Sequence, residues 1–109
     1  MTTADRSAQR LAVEIAEKVL SGEIGVIEGA VRLASVAYDA VEDWRIDSDF
    51  VVFGGLASET DHLPSGSARQ YWSRAALAEA DLDIARIENH ARADVFRACS
   101  SVIKRFSDA

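Results

Sequence analysis

Cysteine is almost missing from this chain. Cys99 stands alone, so no internal disulfide can carry stability. The opening MTTADRSAQR lacks the apolar segment of a secretory signal, and with the lone cysteine this predicts a cytoplasmic location. No apolar run approaches the roughly 20 residues that cross a bilayer, which excludes a membrane-spanning helix. Proline occurs once, at Pro64. With 49% of residues apolar and 28% charged, the composition is that of an ordered globular domain and far from that of a disordered chain. A length of 109 residues predicts one domain, 1–109. Such a chain buries roughly two thirds of its unfolded surface and folds without metal.

Positive charge is also in short supply. The net charge is −6, which argues against a nucleic-acid binder, because neutralising phosphates takes a clustered basic face. The excess is local. Asp39, Glu42, Asp43, Asp47, Asp49, Glu59 and Asp61 face only Arg45 within 39–61, and the other 86 residues carry eleven acids and eleven bases. A field so concentrated can steer a basic partner to one side of the molecule; the plainer alternative is a solvated loop.

Several chemical signatures are missing. There is no G-x-x-x-x-G-K-[ST] phosphate loop, no Cys-x-x-Cys pair and no nucleophile beside a base. Asp47, Asp49, Glu59, Asp61 and His62 are the one grouping dense enough to try as metal ligands, but Asp-x-Asp followed by Phe-Val-Val departs from an EF-hand loop. No metal and no cofactor are predicted, and the balance leans away from an enzyme.

What the chain does have is helical periodicity. Leu11, Ile15 and Val19, with Ala8, Ala12 and Ala16 beside them, form one apolar stripe, predicting a first helix from after Thr2 or Thr3 to Leu20. Ser21-Gly22 ends it. A second helix over about 25–43 shows two stripes, Ile27, Val31, Ala34, Tyr38, Val41 and Val26, Ala30, Leu33, Ala37, Ala40, so it should pack on more than one neighbour. Gly25 and Gly29 would permit a close crossing there.

The stretch 47–66, DSDFVVFGGLASETDHLPSG, is the unusual part. It holds three of the six glycines, the only proline and two of the four phenylalanines. Asp47 or Ser48 as N-cap, Phe50 and Phe53 facing inward and Gly54-Gly55 as terminator predict a short helix plugging the core; a short strand is the rival reading, without a convincing strand to pair with it. Ser58, Thr60 and Asp61 suit an irregular turn whose amides they satisfy.

Ser67, with Gln70 three residues on, suggests a short helical piece carrying Tyr71 and Trp72. Ser73 caps another segment, and Asp81 or Asp83 offers a further cap. If those breaks are minor, one helix runs from about Arg74 to Phe106 on a stripe of Ile84, Ile87, Ala91, Val95, Ala98, Val102 and Phe106, with Cys99 adjoining. The expected architecture is all-α: a small antiparallel bundle of three main helices plus short ones, with a long ordered irregular connection at about 44–67.

The run Asp49-Phe50-x-x-Phe53 with Gly54 or Gly55, Ser58-Glu59-Thr60-Asp61-x-Leu63-Pro64-x-Gly66, then Trp72, Cys99, Arg105 and Phe106, resembles a group of small uncharacterised bacterial helical proteins with a DFxxFxG…SETDxLPxG…W motif. The resemblance covers half of the chain or more and implies no established activity.

Two functional readings follow. In the first, the protein binds another protein as an immunity or antitoxin-type inhibitor. Asp47, Asp49, Glu59, Asp61 and His62 form an acidic docking face for a basic partner such as a toxin, and Trp44 and Trp72 anchor it. In the second, Ser58 to His62 form a small-ligand or catalytic site, with a carboxylate orienting the His62 imidazole. The motif as a purely structural device is the third reading. Two apolar faces on the second helix leave a homodimer open.

Overall fold

The computed structural model describes residues 4–108. Helix α1 spans Arg6–Ser21, α2 Val26–Ala40, α3 Phe50–Glu59 and α4 Arg74–Phe106, with 3-10 turns at Trp44–Ile46 and Gly66–Tyr71. There is no strand among the described residues. The expected all-α bundle is therefore the observed fold.

Asp5 caps α1 by accepting the Ser7 N–H at 2.7 Å, and Gly22 closes it in the left-handed region at φ 83°. The helix thus starts at Arg6, later than the expected start after Thr2 or Thr3, two residues that lie outside the described ones. The hairpin α1–α2 is antiparallel and its open end is pinned: the Asp5 N–H donates to the Asp39 carbonyl at 2.7 Å and the Gln9 amide to the Ala40 carbonyl at 3.1 Å. Gly29 is what lets α1 and α2 approach, because a β-carbon there would overlap the side chain of Val19. Gly25 has a different duty, as the N-cap of α2.

Helix α2 brings no capping side chain of its own. Glu88 of α4 supplies one, accepting the Ile27 N–H at 3.0 Å. That bond fixes the register: α2 starts level with Glu88 and ends near Phe106, so α2 and the second half of α4 run parallel while α1 and α3 run against them.

The 44–67 connection differs from expectation. Gly54-Gly55 does not end the short helix; α3 continues through both glycines to Glu59. The reason is tertiary. The Trp44 ring lies over Gly54, where a β-carbon would come within 2.9 Å of its Cε3, and this packing outweighs the propensity cost of about 1 kcal/mol per glycine. Phe50 and Phe53 do plug the core, both with no exposed surface and in an edge-on pair 5.6 Å apart. They join Leu33, Val19, Val95 and Val102 in the one main cluster of buried side chains.

Helix α4 is continuous, so Asp81 and Asp83 cap nothing; Ser73 does, accepting the Ala76 N–H at 3.1 Å. Its 33 residues span about 50 Å at ~1.5 Å per residue, and the molecule measures 50 × 23 × 22 Å. The first half, before Glu88, therefore extends about 20 Å beyond the α1–α2 turn. Residues 60–73 return alongside it, tied by Arg69 to Asp81 at 2.9 Å.

Candidate functional site

The acids that drew attention in the sequence are not used alike. Asp47 and Asp49 turn inward to α4. The Asp47 carboxylate accepts the N–H groups of Asp49 and Phe50 at 3.0 and 3.1 Å, capping α3. It also receives a two-pronged bond from Arg105, at 2.9 and 2.8 Å. Asp49, only 3% exposed, accepts from Arg105 at 2.9 Å and from the Ser101 hydroxyl at 2.6 Å. Ser101 and Arg105 lie four apart, one turn on one face of α4, which is why both reach the same carboxylate.

Burial alone would raise the Asp47 pKa, but the hydrogen bonds from Arg105, Phe50 and Asp49 outweigh it and hold the carboxyl below its usual value. The Arg105 guanidinium is pushed the other way, chiefly by its bond to Asp47. Burial, with the Asp49 charge added, pushes the Cys99 thiol up to about 12. A buried thiol of that kind is inert. The group of Asp47, Asp49, Ser101 and Arg105 is a clasp: it locks the start of α3 to the end of α4. Asp49 is thus withdrawn from the docking face expected of it, because a buried, fully paired carboxylate has nothing left to offer a partner.

Glu59, Asp61 and His62 stand elsewhere. They lie at the far end of α3, about 15 Å along its axis from Asp49 at ~1.5 Å per residue, and all three are exposed. Thr60 is buried, its hydroxyl donating to the Leu56 carbonyl at 2.8 Å. Pro64 is buried as well. Ser58 to His62 therefore do not converge: the one inward side chain bonds its own helix, and its neighbours point to solvent. No three His, Cys, Asp or Glu side chains gather as a metal site among the described residues.

Trp44 and Trp72 are also separated. Trp44 is half-buried over Gly54, edge-on to Tyr38 at 6.2 Å, with Arg45 5.8 Å from its ring. Its indole N–H is buried without a hydrogen-bond acceptor among the described residues. Trp72, at the start of α4, is exposed.

The concave surface of note lies at the clasp end. A groove of about 800 Å³ is lined by Ala40, Val41 and Phe106 as its apolar floor, with Ile46, Glu42, Asp43 and the Asp47–Arg105 pair around it. Ile46 is 84% exposed. Glu42 and Asp43 are exposed too, and among the described residues only Asp43 has a nearby cation, Arg45 at 3.9 Å. No apolar period in the sequence marks this groove. Its signal was Val41-Glu42-Asp43 followed by Ile46: apolar residues left over after the second helix ends, with acids between them.

Residues 4–102 match the family described as "Protein of unknown function (DUF2489)". No curated protein and no solved structure matches the chain.

Proposed function

The chain belongs to the DUF2489 family, and we propose that it is a protein-binding module whose end groove takes a basic, partly apolar segment of another protein. The observation that carries this reading is the pairing of an apolar floor with an acidic rim. Ile46 and Phe106 supply surface that gains by being covered, at about 25 cal/mol per Å² of apolar area removed from water. Glu42 and Asp43 supply charge that speeds encounter and selects the partner's sign.

An immunity or antitoxin-type role against a basic toxin in the cytoplasm is the form of this reading that the charge favours. The docking acids are then Glu42 and Asp43, with Asp47 contributing through its remaining field. In the same reading the bacterial motif D-F-x-x-F-x-G marks the fastening of α3, by which Asp49, Phe50 and Phe53 hold the turn that carries Ile46. The S-E-T-D-x-L-P-x-G portion serves mainly the fold, as the buried Thr60 and Pro64 favour.

A panel of basic amphipathic peptides, followed by amide chemical shifts, tests the proposal. Shifts should cluster at Ala40 to Ile46 and at Phe106 and weaken with salt. Glu42→Gln with Asp43→Asn should lower affinity about fivefold at low ionic strength, the scale of about 1 kcal/mol for exposed charges. Shifts centred on Glu59 to His62, or affinity indifferent to both substitutions, would reject the groove.

A further inference from the structure

The first half of α4 leaves one whole side uncovered. Its inward side buries Ala80, and Arg69 pairs with Asp81 beside it. On the opposite side Ala75, Ala78, Leu82, Ala85 and Asn89 follow one another at alternating spacings of three and four, and all five are exposed. Leu82, at the centre, is 72% exposed. This is the heptad spacing by which one helix meets another along a seam, and the small residues around Leu82 would let the partner come close. The seam lies on the half of α4 that extends beyond the α1–α2 turn, so neither of those helices covers it.

The charges beside the seam identify the occupant. Glu79 and Arg86 flank Leu82 three residues before and four after it, both exposed and opposite in sign. A two-fold axis close to Leu82 therefore brings Glu79 of each copy against Arg86 of the other, making the same pair twice. Arg86 also contacts Asp83 on its own helix, an exposed pair that competes weakly. A heterologous partner would have to reproduce that symmetric pattern; a second copy of this chain has it already.

We propose that this half of α4 pairs antiparallel with the same segment of a second copy, Leu82 meeting Leu82 at the axis. A two-fold contact of this kind is isologous and closes at two subunits. It leaves the groove at the other end of each copy free, so the dimer would present two grooves at its extremities.

Sedimentation of the full chain over a range of concentrations tests this directly. The wild-type chain should pass from monomer to dimer as concentration rises. Glu79→Arg and Arg86→Glu should each weaken dimerisation roughly tenfold or more, since each sets like charges together twice. An equimolar mixture of the two variants should recover it, because one then carries two arginines where the other carries two glutamates. Leu82→Glu should abolish association at concentrations where the wild type is dimeric. All three positions are exposed, so circular dichroism should show an unchanged fold. A wild-type chain that stays monomeric, or a mixture no more associated than its components, would overturn the proposal.

Discussion

Two parts of this molecule are held together by different means. The body, residues 5–59 and 88–106, closes over fully buried side chains such as Phe50, Phe53, Leu33 and Val102, and clasps its one deeply buried carboxylate, Asp49, with Arg105 and Ser101. The arm, residues 60–87, buries Ala80 and Pro64, keeps Tyr71 and Leu82 outside, and is tied by an exposed Arg69–Asp81 pair. Stability resides chiefly in the body. The largest fully buried side chains all lie in the body, and the continuous helix α4 joins the arm to it.

Paired truncations give the largest test of that contrast. Phe53→Ala removes a ring with no exposed surface from the centre of the body, and should cost roughly 3–5 kcal/mol in urea unfolding. Domains of this kind have about 5–15 kcal/mol in total, so little would remain. Ile84→Ala removes a half-exposed side chain from the arm and should cost about 1 kcal/mol or less. Equal losses at the two sites would show that the arm shares the body's core.

The ion pairs between elements differ in the same way, Arg105 meeting the largely buried Asp47 and Asp49 and Arg69 the exposed Asp81. Arg105→Ala leaves Asp49 buried with only Ser101 to bond, and should cost roughly 3 kcal/mol, as for a buried pair stripped of one partner. Arg105→Lys should recover only part of this, because one ammonium cannot reproduce the fork that reaches both carboxylates. Arg69→Ala in the arm should leave the unfolding midpoint where it was. The body's clasp also sets an acid limit. Asp47 has a lower pKa folded than unfolded. Its contribution is therefore complete above the unfolded value of about 3.9, and is lost as pH falls through the lowered folded value. Asp47→Asn should flatten that acid limb of the stability curve, read by urea midpoints at successive pH values.

The helices of the body were largely legible in the sequence, because hydrophobic period alone places α1, α2 and the run from Arg74 to Phe106. Phe50 and Phe53 were legible as core for the same reason. Three features were not. Gly54-Gly55 looks like a stop, and only the Trp44 ring across Gly54 explains why the helix goes on. The clasp joins residues more than fifty positions apart, beyond any periodicity, although Ser101 and Arg105 one turn apart and Asp47 and Asp49 two apart were complementary pairs waiting to be matched. Nothing local marks Glu88 as a cap, yet α2 lacks a capping side chain at its start, and that deficit is a signal that something distant must fill it. Local charge counting placed the acids correctly along the chain but treated them as one face. Side-chain direction divided them into a buried clasp, a groove rim and an exposed pair at the far end of α3.

The smallest effect concerns local opening, which leaves global stability untouched. Helix α4 passes from arm to body without a break, so its amides share one set of helical bonds and differ only in what packs on them. Native-state hydrogen exchange should separate the two halves. Amides of Val95 to Val102 sit among side chains with no exposed surface and should exchange only through global unfolding, with a strong dependence on urea. Those of Ala78 to Arg86 should exchange faster through local fraying that exposes little new surface and responds weakly to urea. Uniform protection along α4 in the dilute monomer would break the contrast between body and arm. If copies pair through Leu82, that contrast should narrow as concentration rises, with protection gained by Ala78 to Arg86 and none by Val95 to Val102, since association stabilises only the segment it covers.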